Sequence, residues 1–231
     1  MHRRTFVGAA AAGVATVAIG RRAISELSAN AIPVAFLVGD NVNVIDTAGP
    51  WEVFQDTMLP GWQHASGFSL FTVGPTTGPL QATGGLTLVP AYDYRSAPTA
   101  KVIVVPAHRA GDATLDFLRS RAAAADLIMS VCTGAFVLGR SGLLDGRTAT
   151  THHEFWDDFE RTFPKVKLER GPRFVEHERI ATAGGLTSGI DLALRVVERY
   201  YGRETAQATA AYMEYQSRFI GAAATRPASA R

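Results

Sequence analysis

The sequence predicts an α/β domain built on a mostly parallel sheet with helices on both faces. Short apolar runs of strand length recur along the chain, and stretches of helical character alternate with them. The run 127–131 then passes through Cys132-Thr133-Gly134 into an apolar helical segment. Alternating strands and helices imply a sheet covered on both sides. A buried strand turning sharply into a helix through a nucleophilic residue is a nucleophile elbow, here with Cys132 at the turn. Gly134, two residues on, lets helix and strand approach closely. The helix end aimed at the sulfur is expected to favour thiolate. A buried structural cysteine is the alternative reading.

The elements follow in order. Residues 33–38 form a first apolar strand, ended by Gly39-Asp40-Asn41. Residues 51–58 have helical character, and Pro50 suits the first turn of that helix, where its missing N–H costs little. Asp46 then lies on the approach to a helix N-terminus, either as a capping carboxylate or as a functional acid. Residues 68–74 read as a second strand, and the Gly/Thr/Pro-rich stretch 75–90 as a hairpin or extended excursion. Residues 101–105 are a buried strand stopped by Pro106, and Asp112 is placed to cap a helix through Ala125. After the elbow come a turn at 142–146, a short strand at 147–151 and a helix at 154–163. A hairpin over 174–182 precedes two helices, 188–201 and 204–215, the first with Ile190, Leu194 and Val197 on one face. Sites in such sheets form beyond the carboxyl ends of the strands. Asp46, His108, Cys132 and His152 each follow a predicted strand and are the candidate site.

Length and composition suit one domain: 231 residues, 47% hydrophobic and 19% charged. One cysteine allows no internal disulfide. Arg3-Arg4, a mild apolar run to Ile19 and Ala29-Asn30-Ala31 read as a twin-arginine (Tat) export signal with an A-x-A cleavage site. The apolar run is shorter than the ~20 residues a spanning helix needs, which ranks an uncleaved anchor second. The expected organisation is a signal peptide over 1–31, a domain over 32–220 and a disordered tail over 221–231. Residues 1–31 carry four arginines and one glutamate, so removing them changes the formal charge from +2 to −1. No Lys/Arg stripe remains to mark a nucleic-acid partner. The mature protein is expected in the periplasm or outside the cell, without stable membrane contact.

Several motifs, in order, resemble the ThiJ/PfpI family of the class I glutamine-amidotransferase-like superfamily. They are Asp46-Thr-Ala-Gly-Pro-Trp-Glu-Val-Phe, Val-Pro106, Ser-Val-Cys132-Thr-Gly-Ala-Phe-Val-Leu-Gly, Ser-Gly-Leu-Leu-Asp-Gly-Arg147, Ala-Thr-Thr-His152 and Thr182-Ala-Gly-Gly-Leu-Thr-Ser-Gly-Ile-Asp191. The resemblance implies a flavodoxin-like three-layer sandwich with Cys132 as nucleophile and Asp46 as its acidic partner. It places His152 at the position of a histidine near the cysteine in many members, and allows a homodimer. Asp46 together with Cys132-Thr133 is similar to the isonitrile hydratase-like branch and to domains fused to AraC-type regulators. Too few residues follow the matched region for a helix-turn-helix pair, so the regulator reading is not expected. Where the family usually has Gly-Gly after Val-Pro, this chain has Ala107-His108. Their backbone N–H groups, with that of Thr133, are the expected oxyanion donors, and His108 adds either a titratable ring or a solvent-facing loop side chain.

The function this implies is a cysteine-dependent lyase acting on a small molecule. Cys132 would attack an isonitrile carbon while Asp46 shuttles the proton. The motifs require no cofactor and no metal. Two alternatives stand: a non-catalytic exported redox sensor or ligand-binding protein, and a glyoxalase- or amidase-type hydrolase using Cys132 with His152.

Overall fold

The computed structural model describes residues 31–57, 59, 67–217 and 219. Nearly all of the expected leader and the whole of the tail 221–231 lie outside the described residues. In chain order, β1 (Ile32–Leu37) leads through α1 (Val44–Gln55) to β2 (Phe68–Gly74). A small hairpin, β3 (Leu80–Gln81) with β4 (Thr87–Leu88), precedes β5 (Tyr92–Asp93) and β6 (Val102–Val105). Then come α2 (Asp112–Ala122), β7 (Leu127–Val131), α3 (Gly134–Arg140), β8 (Thr148–Ala149), α4 (Trp156–Thr162) and β9 (Lys167–Leu168). The hairpin β10 (Phe174–Glu176) and β11 (Ile180–Ala183) is followed by α5 (Ser188–Tyr201) and α6 (Arg203–Tyr212).

Seven strands form the central sheet in the order β10-β11-β7-β6-β1-β2-β5. All neighbours pair in parallel except β10 with β11. Successive side chains of a strand point to opposite faces, and β1 shows the result. Val34 and Phe36 enter one core with Phe54, Leu192 and Val197, whereas Ala35 and Leu37 enter the other with Leu118, Leu138 and Phe159. Helices α1 and α5 cover the first face, and α2, α3 and α4 the second. This is the mostly parallel, doubly covered sandwich the sequence predicts. Among the described residues no helix is long and apolar enough to cross a membrane.

Four local expectations are corrected. The helix expected to begin near Pro50 begins at Val44, with Asn43 as N-cap accepting from the Ile45 N–H at 3.2 Å, and leaves Pro50 inside it. Asp46 therefore stands in the first helical turn. Asp112 is the first residue of α2 and not its cap; Gly111 is the N-cap, with no side-chain cap bond, and the helix stops at Ala122. The strand expected over 147–151 shortens to β8, which pairs with β9 outside the main sheet. His152 consequently does not end a strand of the central sheet. The last helix begins at Arg203 and ends at Tyr212.

The elbow depends on a close crossing. A Cβ built on Gly134 would lie 2.1 Å from the Val105 carbonyl oxygen, a backbone atom that cannot yield without moving β6. Gly134→Ala is expected to cost at least ~2 kcal/mol through overpacking, read as a lowered denaturant midpoint. An unchanged midpoint would mean that α3 and β6 separate freely.

Candidate active site

Cys132 occupies the turn between β7 and α3 with φ 59°, in the left-handed region. A non-glycine residue there is strained, and persists only where its surroundings fix it. Here the backbone does so. The Cys132 N–H donates to the Gly184 carbonyl at 2.9 Å, continuing the β7–β11 ladder one residue past Val131 and Ala183. The Cys132 carbonyl accepts from the Thr151 hydroxyl at 2.9 Å. Leu186, at φ 51°, brings its backbone N–H to the sulfur, as Thr133 does with both its N–H and its hydroxyl. The thiol thus sits where two strand-to-helix loops meet, and Cys132 is only 6% exposed.

Asp46 is fully buried. A carboxylate in the first turn of a helix usually reaches back to cap it, but this one turns into the protein. Its Oδ2 accepts from the Ala107 N–H at 3.2 Å, while the Ala107 carbonyl accepts from the Asn43 N–H at 2.8 Å. The peptide groups flanking Ala107 therefore clamp the end of β6 onto the first turn of α1. Oδ1 has no fully formed hydrogen bond, and the group facing the carboxyl is the Cys132 thiol. Asp46 and Cys132, expected from the sequence as partners, are brought together.

The electrostatics correct one expectation. Burial pushes Asp46 up to about 7, against smaller opposing contributions from the Ala107 N–H and the thiol. Burial, with the Asp46 charge added, pushes Cys132 up to about 11, although the Thr133 and Leu186 donors favour thiolate. The short helix α3 does not win; desolvation and a neighbouring carboxylate outweigh its dipole. At neutral pH the pair holds its proton chiefly on sulfur, with Asp46 near half ionisation. The two groups titrate as a pair.

The remaining expected residues are placed differently from their predicted roles. The Ala107 N–H is committed to Asp46, which leaves Thr133 and Leu186 as the donors at the sulfur. His108 is not a solvent-facing side chain. Its Nδ1 donates to the Pro106 carbonyl at 2.8 Å, its ring packs against Gly39, and Nε2 is buried without a hydrogen-bond partner among the described residues. Burial lowers its pKa, so the ring is neutral. His152 makes no hydrogen bond to Cys132. Its Nδ1 accepts from the Glu154 N–H at 3.3 Å and its ring stacks on His153. Sequence reasoning missed Thr151, Gly184 and Leu186 as contacts of Cys132. The Thr182-Ala-Gly-Gly-Leu motif was the available signal, since consecutive glycines mark a loop that can approach another backbone. No cluster of three His, Cys, Asp or Glu side chains able to hold a metal ion occurs among the described residues.

A mostly parallel sandwich with a cysteine at a strand-to-helix elbow and a buried acid beside it defines a class of α/β proteins. The chain belongs to the DJ-1/PfpI family, whose pattern matches residues 33–199. It is 35% identical to an isonitrile hydratase of Pseudomonas putida over 80% of this chain and 79% of that protein. It is 26% identical to the HTH-type transcriptional regulator GbdR of Pseudomonas aeruginosa over 79% of this chain, which spans half of the regulator's length. The crystal structure of a ThiJ/PfpI family protein from Pseudomonas syringae superposes with a TM-score of 0.71 at 27% identity, covering 81% of this chain and 76% of that one.

The raised pKa of Asp46 has a stability consequence. An acid whose folded pKa lies above its unfolded value contributes stability that is complete below about 3.8 and lost as pH rises through about 7. Asp46→Asn removes the charge that must be buried above that range. Its melting temperature at pH 8 is expected to equal or exceed that of the wild type. Its Cys132 alkylation profile should shift to lower pH, because the neighbouring negative charge is gone. A variant less stable than wild type at pH 8, with an unshifted alkylation profile, would show that the carboxylate is not coupled to the thiol.

Proposed function

We propose that this protein is an exported isonitrile hydratase-like lyase that converts an isonitrile and water into an N-substituted formamide. The observation that carries the reading is the pairing of the sole cysteine with a buried acid whose pKa lies near 7. A proton shuttle must both accept and return a proton near the working pH. The 35% identity to the Pseudomonas putida isonitrile hydratase supplies the substrate class.

In the proposed sequence, Asp46 as carboxylate takes the proton of the Cys132 thiol while the sulfur adds to the terminal isonitrile carbon. The carbon lone pair that results takes the proton back from Asp46, leaving a thioformimidate, R–N=CH–S–Cys132. Asp46 then removes a proton from an attacking water, and the substrate nitrogen receives it. Collapse of the tetrahedral adduct releases R–NH–CHO and returns the thiol. No electron acceptor or donor is consumed. Covalent capture divides the addition into two easier steps. The Thr133 and Leu186 N–H groups are placed to steady negative charge on sulfur as it departs.

The alternatives have less support. A cysteine hydrolase using His152 lacks a hydrogen bond from that ring to Cys132. A redox sensor needs a readily formed thiolate, which burial and Asp46 oppose. A non-catalytic ligand-binding role draws on the regulators among the relatives.

Purified protein is expected to form formamides from a panel of isonitriles. Its kcat/KM should fall below about 7, as Asp46 protonates, and above about 11, as the pair loses its last proton. Cys132→Ser should abolish turnover, and Asp46→Asn should lose at least ~10²-fold. Full turnover by either variant sinks the mechanism.

Export rests on Arg3-Arg4 and Ala29-Asn30-Ala31. Replacing both arginines with lysine is expected to leave precursor in the cytoplasm, read by fractionation. Undiminished secretion would remove the Tat assignment.

A further inference from the structure

Arg173 immediately precedes β10, and Asp191 stands in the first turn of α5, fully buried. A buried carboxylate without partners would be costly, and this one is met on both oxygens. Oδ2 accepts from the Arg173 Nε–H and from the Tyr215 hydroxyl, and Oδ1 from the Ser217 hydroxyl. The ion pair is thus fully partnered, yet the guanidinium reaches further. Its Nη2 donates to the Thr187 hydroxyl at 3.2 Å.

Thr187 is the N-cap of α5, a position where threonine ordinarily accepts from the helix's own N–H groups. Here its hydroxyl makes no cap bond and serves Arg173 instead. The Arg173 backbone holds the other end of the same loop, its carbonyl accepting from the Gly184 N–H at 2.8 Å. Only Gly185 and Leu186 lie between these two fixed points. Leu186 has φ 51°, a strained value for a leucine that persists only where the surroundings impose it. Its side chain cannot do so by packing, because the residue is 40% exposed. The restraint comes from hydrogen bonds on either side. The Ser188 N–H donates to the Gly185 carbonyl and the Gly189 N–H to the Leu186 carbonyl, each at 3.1 Å, and Arg173 anchors the residues that flank them.

We infer that Arg173 is a positioning residue of the thiol site: braced on Asp191, it fixes Gly184 and Thr187 so that Leu186 keeps the left-handed conformation that presents its N–H to the Cys132 sulfur. Arg173 makes no hydrogen bond to Cys132 or Asp46 among the described residues; it acts through the loop. A guanidinium suits the task, because its planar fork can serve a carboxylate and a hydroxyl together, whereas an ammonium is a point charge. The inference concerns the thiol itself and does not depend on the lyase reading.

The test uses Thr187→Val, which removes only the hydroxyl, and Arg173→Lys, which keeps a cation beside Asp191 and loses the fork. Two controls accompany them. Thr187→Ser restores the acceptor, and Tyr215→Phe takes a hydroxyl from the same ion pair without altering the loop. Hydrogen exchange of the Leu186 amide is followed by NMR, and alkylation of Cys132 by iodoacetamide is followed against pH. Thr187→Val and Arg173→Lys are expected to speed Leu186 exchange at least ~10-fold, the effect of losing one hydrogen bond to a charged group. The alkylation midpoint should move to higher pH in both, because the Leu186 N–H favours thiolate. Asp46, the charged group that faces the sulfur from α1, is unchanged in every variant. Thr187→Ser and Tyr215→Phe should match the wild type in both readouts, whatever their melting temperatures. If the ion pair only stabilises the fold, Arg173→Lys and Tyr215→Phe melt earlier while Thr187→Val leaves exchange and midpoint unmoved, and the inference is overturned. A midpoint displaced to lower pH also overturns it, since the loop would then be a cover over the sulfur and not a donor to it. A shift in Thr187→Val that is absent from folded Arg173→Lys assigns the hold to another partner of Thr187 and overturns it too. Should Arg173→Lys fail to fold, Thr187→Val against Thr187→Ser decides the matter. Isonitrile turnover enters neither readout, so the failure of the lyase reading and the failure of this inference are told apart.

Discussion

The structure turns on a buried carboxylate held by one backbone donor. Asp46 lies in the first turn of α1, where its side chain would ordinarily serve the helix. Ala107 has taken over that turn instead, accepting from Asn43 and donating to Asp46. This exchange does two things at once. It fastens the end of β6 to the start of α1, and it frees one carboxylate oxygen to face the thiol. With only one N–H and the thiol as compensation, the carboxylate bears most of its desolvation cost, and this is why it is pushed up to about 7. Stability is given up at the point where the carboxyl meets the thiol.

The thiol shows the same competition with a different balance. An elbow cysteine at a helix start is expected to be acidic, and two backbone donors do act in that direction. They are opposed by burial and by the Asp46 carboxylate. A low thiol pKa and a nearby base are alternative ways to obtain a nucleophile, and the lyase proposed above would use the second. In that proposal the pair keeps a protonated sulfur at rest and generates the reactive form only as the proton crosses to oxygen.

The strands were legible because fully buried parallel strands read as short apolar runs, and β1, β6 and β7 are such runs. The start of α1 was not legible. Val42, Val44 and Ile45 are β-branched and suggest extension, and Pro50 suggests a helix start. The signal that decides the matter is Asn43, a capping residue whose side chain engages Ile45. Cys132 and Asp46 were legible through their motifs. Leu186 and Ala107 were not, because a backbone N–H has no residue-type signature and its direction is set by tertiary packing. The thiol pKa could not be read locally either, since both large influences on it come from distant parts of the chain. His108 interrupts a Gly-Gly pattern, yet it is accommodated because Gly39 leaves space for the ring.

The hydrogen bond from Cys132 to Gly184 extends a ladder between strands that lie about fifty residues apart in the chain. The native surroundings of the sulfur therefore include β7 and β11 joined in register. In an unfolded chain the sole thiol would ionise near the ~8.5 of free cysteine; in the folded protein it is shielded and pushed up to about 11. The molecule thus carries its own probe of unfolding. At mildly alkaline pH, the rate at which a small electrophile labels this one sulfur reports the fraction of chains that have opened around it.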